Sequence, residues 1–140
     1  MQGNPRNALR LAEEALALAE DAGNESGAAT ARLNAGWALV YLGRYDDAVS
    51  LLNGAREGYA GLQDNDGAMK AINALGVLSF RIGESDQARE FFEEGLRLAD
   101  EARNVDRRIA FLNNLGELFA KIGDHVTARA HYQTALASAR

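Results

Sequence analysis

Cysteine is absent from this 140-residue chain, and proline and tryptophan occur once each, as Pro5 and Trp37. Without cysteine there is neither a disulfide nor a thiolate metal site, which leaves the compartment open. One proline among fourteen glycines suits long helices broken by short turns and suits a sheet poorly. Lysine is nearly missing too: thirteen of the fifteen cations are arginine, a bias that reads as genome composition before function. Against twenty carboxylates those cations leave a net charge of −5, so the basic face that nucleic acid requires is not expected. The longest uncharged apolar run, Ala35 to Gly43, is about half of the roughly 20 residues that span a bilayer, which argues against a membrane partner. Met1-Gln2-Gly3-Asn4-Pro5 has no basic start and no apolar stretch behind it, so no signal peptide is read and a cytoplasmic location is expected. The chain opens inside a turn and runs straight into the second half of a repeat, as a segment of a larger protein would.

What is present is a repeat. Gly43-Arg44-Tyr45-Asp46-Asp47-Ala48 returns as Gly83-Glu84-Ser85-Asp86-Gln87-Ala88 and as Gly123-Asp124-His125-Val126-Thr127-Ala128, with Gly3-Asn4-Pro5-Arg6-Asn7-Ala8 upstream. Four Gly-x4-Ala frames at a 40-residue interval mark a repeat architecture rather than an active site. One domain of 140 residues is expected: residues 1–23 as the second helix (B) of an incomplete repeat, then repeats at 24–63, 64–103 and 104–140.

The first helix should start at Asn4-Pro5 and reach about Ala22, with Leu9, Ala12, Leu16 and Ala19 on one stripe and Glu13, Glu14, Glu20 and Asp21 elsewhere. Two columns of capping residues follow, Asn24, Asp64, Asn104 and Ser26, Asp66, Asp106, and either could start the first helix (A) of each full repeat. The A helices should run to about Leu42, Ile82 and Ile122 and close at Gly43, Gly83 and Gly123, with helix B resuming within two residues. Their core stripes read Ala31, Ala35, Ala38, Leu42; Ala71, Leu75, Leu78, Ile82; and Phe111, Leu115, Leu118, Ile122. Beside them stands a mid-helix glycine column, Gly36, Gly76 and Gly116, where glycine costs about 1 kcal/mol relative to alanine. Repeated three times, that cost implies close helix approach. Helix B answers with small Ala48, Ala88, Ala128, bulky Leu52, Phe92, Tyr132, and small Ala55, Gly95, Ala135, the alternation that ridge-into-groove packing needs.

These columns resemble the tetratricopeptide repeat. Its pattern is met in the last repeat by Leu112, Leu115, Gly116, Phe119, Gly123, His125, Ala128, Tyr132 and Ala135. The middle copy reads Ile72, Leu75, Gly76, Ser79, Gly83, Ser85, Ala88, Phe92 and Gly95, and the first Arg32, Ala35, Gly36, Leu39, Gly43, Tyr45, Ala48, Leu52 and Ala55. The period is 40 rather than 34, and Ala60 and Asp100 stand where the family has proline, which implies longer helices. With Leu112-Asn113-Asn114-Leu115-Gly116, this variant is similar to the repeats of kinesin light chains and of bacterial regulators, among them maltose-activator-like transcription factors and sensory diguanylate cyclases. The resemblance implies an all-α, right-handed α-solenoid of antiparallel helix pairs, seven helices in all.

Stacked pairs of this kind leave the A helices lining a concave face. The A-helix stripe turned from the core is Thr30, Leu33, Trp37, Val40; Lys70, Asn73, Val77, Phe80; and Ala110, Asn113, Glu117, Ala120, with Tyr41, Arg81 and Lys121 beside its end. The expected peptide-binding groove is therefore Trp37, Tyr41, Lys70, Asn73, Val77, Phe80, Arg81, Asn113, Glu117 and Lys121. Rings would supply area, amides would pair with peptide backbone and cations would read carboxylates, so the expected partner is a protein or peptide with acidic and apolar residues. The competing reading is that Trp37, Tyr41 and Phe80 pack on a neighbouring helix. A carboxylate clamp of the chaperone-tail type is not expected, because Trp37 and Val77 occupy a groove position where that clamp uses asparagine.

No reactive constellation is found. His125 and His131 fall in columns of packing or surface residues, and six apart they do not share a helix face. Asp64-Asn65-Asp66-Gly67 begins like a calcium loop but has Gly67 fourth and Leu75 twelfth, where a glutamate is needed. Glu13-Glu14, Asp46-Asp47 and Glu93-Glu94 read as solvated faces, and phosphate loops, serine elbows and dinucleotide fingerprints are absent. The expectation is a non-enzymatic scaffold without cofactor or metal, from a larger bacterial regulatory protein. Two alternatives stand beside it: self-association through the uncovered first and last helices, and a sensor for a catalytic domain outside this chain.

Overall fold

The computed structural model describes residues 3–139. They form seven helices: α1 Pro5–Asp21, α2 Glu25–Tyr41, α3 Tyr45–Gly61, α4 Asn65–Arg81, α5 Ser85–Glu101, α6 Val105–Lys121 and α7 His125–Ser138. Among the described residues there is no strand, so the chain is all-α as expected. Six of the helices have 17 residues each. Three-residue junctions separate them, and 17 plus 3 gives a 20-residue half-period, two of which make the 40-residue repeat.

Every junction is built alike. The middle residue is left-handed at Gly23, Gly43, Gln63, Gly83, Arg103 and Gly123, with φ between 54° and 90°. Around it two backbone bonds close the outgoing helix, as Gly43 N–H to Val40 C=O and Arg44 N–H to Leu39 C=O show, with five counterparts. This is the Schellman arrangement, which satisfies carbonyls that the end of a helix leaves unpaired. The third residue is at the same time the N-cap of the next helix. The side chains of Asn24, Asp64 and Asn104 accept the N–H groups of Gly27, Gly67 and Arg107 at 2.9–3.0 Å. Of the two candidate columns, then, the first caps, and Ser26, Asp66 and Asp106 sit inside the first turn. Asn4 caps α1 through the Arg6 N–H, and Asp124 caps α7 through Thr127.

Cα proximity divides the chain into two compact units, the first ending at Leu78 and the second beginning at Ser79, inside α4. In the first unit α2 packs against both α1 and α3. Gly36 lies against fully buried Leu52 of α3; a Cβ there would overlap the leucine, standing 2.7 Å from its Cγ. The close approach inferred from the glycine column is real at this position. Tyr59 is buried, its ring faces Gly67 of α4, and its hydroxyl meets Thr30 Oγ1 of α2 at 2.9 Å. Arg32 stands in an apolar column yet lays its stem over Gly54 and pairs with Glu20 at 3.2 Å.

In the second unit α6 packs against both α5 and α7. The ring of Phe111 covers Gly95, and Tyr132 of α7 covers Gly116, where a Cβ would stand 2.6 Å from its Cε1. Phe92, Phe111, Leu115 and Leu118 are fully buried, and each such side chain contributes about 1.5–3 kcal/mol.

Two sequence expectations are corrected here. Ile82 and Ile122 are 45% and 53% exposed rather than core, because they follow the last helical residue and leave the stripe. Leu33 and Val40 are buried rather than turned outward, because α2 is flanked by α1 and α3 and so buries a wider face.

Candidate functional site

Each A helix keeps some side chains out of its core, and the two units carry separate sets. On α2, half-buried Trp37 and exposed Tyr41 are one helical turn apart and stack, with centroids 5.9 Å apart and planes at 23°. They stand in an open cleft of about 740 Å³ whose other wall is α1, through Pro5, Ala8, Leu11 and Ala15. Asn34 and Ala38 complete the α2 wall, and among the described residues no charged side chain lines the cleft. On α4, Lys70 is exposed and pairs with Asp66 at 3.7 Å, while Asn73 and Val77 are half-buried. That ion pair and the Asp64 cap account for the acidic cluster that begins like a calcium loop.

In the second unit, the Lys121 ammonium lies over the Phe80 ring at 4.6 Å from its centroid. Phe80 is half-buried, and Arg81, Asn113, Glu117 and Lys121 are exposed. The cation–π contact gives Lys121 a partner at this surface, so its charge is oriented by the ring rather than freely swinging.

The histidines are placed by packing. His131 stacks on Phe119 at 5.3 Å with planes 5° apart, and its Nδ1 meets the Thr127 carbonyl at 2.9 Å. His125 is exposed at the first position of α7. Beside it, bonds from the Thr127 hydroxyl and N–H hold the Asp124 carboxyl below its ordinary range. Among the described residues, no three histidine or acidic side chains are placed to hold a metal ion. None of the described helices is long and apolar enough to cross a membrane.

The sequence stripe for the A helices left out one wall of the cleft. Leu11 is 56% and Leu18 70% exposed, and with Ala8 and Ala15 they form an apolar stripe on α1 beside the buried Leu9, Ala12 and Ala19. The signal was in the sequence as a second three-and-four spacing, but reading one amphipathic stripe per helix hides it.

Comparisons agree with the all-α fold. The family model described as Tetratricopeptide repeat matches residues 1–60 and 67–140. A crystal structure of BtubC (BKLC) from P. vanneervenii superposes with a TM-score of 0.84 at 22% identity, over 96% of this chain and 56% of that one. The chain thus spans little more than half the length of that protein, and at this identity the likeness is one of fold. No curated protein matches.

Proposed function

The chain belongs to the tetratricopeptide repeat family, and from that premise we propose that it is a non-enzymatic scaffold that binds protein segments through its A-helix faces. The observation that carries the reading is what α2, α4 and α6 leave outside the core. Trp37, Tyr41, Lys70, Asn73 and Val77 do so in the first unit, and Phe80, Arg81, Asn113, Glu117 and Lys121 in the second. All ten are half-buried or exposed, in a protein whose net charge is −5, so the three cations on these faces stand out from an acidic background. Aromatic area with a few oriented cations suits a segment carrying apolar and acidic residues. A regulatory role in a bacterial cytoplasm, as part of a larger signalling protein, fits this reading.

A library of peptides graded in acidic and apolar content, displayed on an array and probed with the 140-residue chain, tests it. Peptides combining both classes should be selected, and Trp37→Ala should weaken those that the first unit binds, or Arg81→Ala those that the second unit binds, by roughly tenfold while helicity stays unchanged. Selection of no peptide class, or unaltered affinity in both variants, contradicts the proposal.

A further inference from the structure

We propose that the second-unit face reads a basic side chain as well as an acidic one, Glu117 taking the base and Lys121 the acid of one extended partner segment. The inference rests on the scaffold reading and narrows its partner for the unit that begins at Ser79. Opposite charges four residues apart on a helix face each other across one turn and pair. Arg10 with Glu14, Asp66 with Lys70, Arg89 with Glu93 and Arg97 with Glu101 all do so, at 2.9–4.0 Å. Glu117 and Lys121 have the same spacing, in the order that favours pairing most, acid before base. They are nevertheless apart, because the Lys121 ammonium lies over the Phe80 ring, 4.6 Å from its centroid. Among the described residues no cation pairs with Glu117, and both it and Lys121 are exposed.

A surface cation–π contact and an ion pair across one helical turn are of similar strength, so the ring is what keeps the two charges separate. The column of Glu117 holds Trp37 and Val77 in the other two A helices, which makes the carboxylate particular to α6. Asn113, Glu117 and Lys121 stand four residues apart, in steps of about 6 Å along α6, and all three are exposed. Two residues of an extended chain cover about 6.6 Å and point to the same side. A segment with a base and an acid two positions apart therefore presents both charges at the separation that α6 offers. One step further along, the Asn113 amide, which bonds no described residue, can pair with backbone groups that an extended segment leaves open. A helical partner fits less well. Its backbone is already satisfied within the helix, and its own base and acid one turn apart would pair with each other.

Four labelled peptides on one apolar frame test this by fluorescence anisotropy with the whole chain. One carries lysine and glutamate two positions apart, and the others have glutamine in place of either or both. Lysine should tighten binding about three- to fivefold over glutamine, the range of one exposed ion pair. Glu117→Gln should abolish that preference and Glu117→Lys should reverse it, the preference for glutamate remaining in both. Lys121→Gln should abolish the preference for glutamate and keep the one for lysine. Both residues are exposed, so melting temperatures should stay near that of the unaltered chain. Phe80→Leu keeps apolar bulk without the ring, which should let Lys121 fall back on Glu117 and weaken both preferences. In the free protein the same change should remove the ring-current shift of the Lys121 ε-methylene protons. Peptides bound without regard to lysine, a lysine preference that survives Glu117→Lys, or Lys121 resonances unmoved by Phe80→Leu overturn the inference and leave the scaffold reading standing. Binding of none of the four overturns it too, and the peptide array then decides separately whether the scaffold reading falls with it.

Discussion

Among the described residues, six single positions reverse the handedness of the backbone, and four of them are glycine. Gln63 and Arg103 adopt the same conformation with φ of 57° and 54°, where a β-carbon costs about 1–2 kcal/mol. Gln63→Gly should therefore stabilise the protein by about 0.5–1 kcal/mol, the relief being partly offset by greater freedom in the unfolded chain. Gly43→Ala should destabilise it by about 1 kcal/mol for the opposite reason, and paired denaturant titrations would show both signs. The mid-helix glycines give a second contrast. A methyl at Gly36 meets Leu52, which is fully buried and has nowhere to go, so Gly36→Ala should cost about 1–3 kcal/mol. At Gly116 the obstacle is Tyr132, 40% exposed and able to swing outward. There the gain in helix propensity, about 1 kcal/mol, should leave Gly116→Ala near neutral. Equal losses at the two sites would mean that exposure of the facing side chain does not decide the matter.

At the scale of the element, one 17-residue helix and one three-residue junction are the repeating unit, and each junction both ends a helix and starts the next. Asn24→Ala should therefore cost about 1 kcal/mol by removing the acceptor for Gly27 N–H, with fraying confined to the first turn of α2 by hydrogen exchange. Asp124 caps α7 as a carboxylate and is held below its ordinary range by Thr127. A depressed carboxyl contributes stability above its unfolded value and loses it as pH falls through the folded one, so α7 should fray in acid below about pH 4. Asp124→Asn keeps an acceptor without the titration, and its α7 amide protection should be flatter across that range. The repeat was legible because glycine marks four of the six junctions, and the half-period was not, because Gln63 and Arg103 hide the other two. Capping was ambiguous between two columns two residues apart, since both carry the same side-chain chemistry and only the bond to the third amide separates them. Ile82 and Ile122 were read as core because spacing alone does not show where a helix stops.

On the scale of the whole molecule, the same economy explains where function can lie. Buried columns are consumed by packing, and the acidic faces of the B helices are solvated, which leaves the outward residues of α2, α4 and α6 for the proposed contact. The first set was legible as a stripe out of phase with the core. Leu33 and Val40 were misplaced in it because a helix with two neighbours buries more than one stripe, a property of the neighbours and not of α2's own spacing. The α1 wall was not read because Leu11 and Leu18 lie on a second stripe beside the one that packs. The scaffold reading is tested most directly by mapping where an array-selected peptide lies, through amide shift changes of the isotope-labelled chain on titration. The account predicts changes concentrated around Trp37, Lys70 and Asn73 in the first unit, or around Arg81, Asn113 and Lys121 in the second, with the acidic faces of α3 and α5 unmoved; changes centred instead on Asp46, Glu57, Glu90 or Glu93 would contradict it.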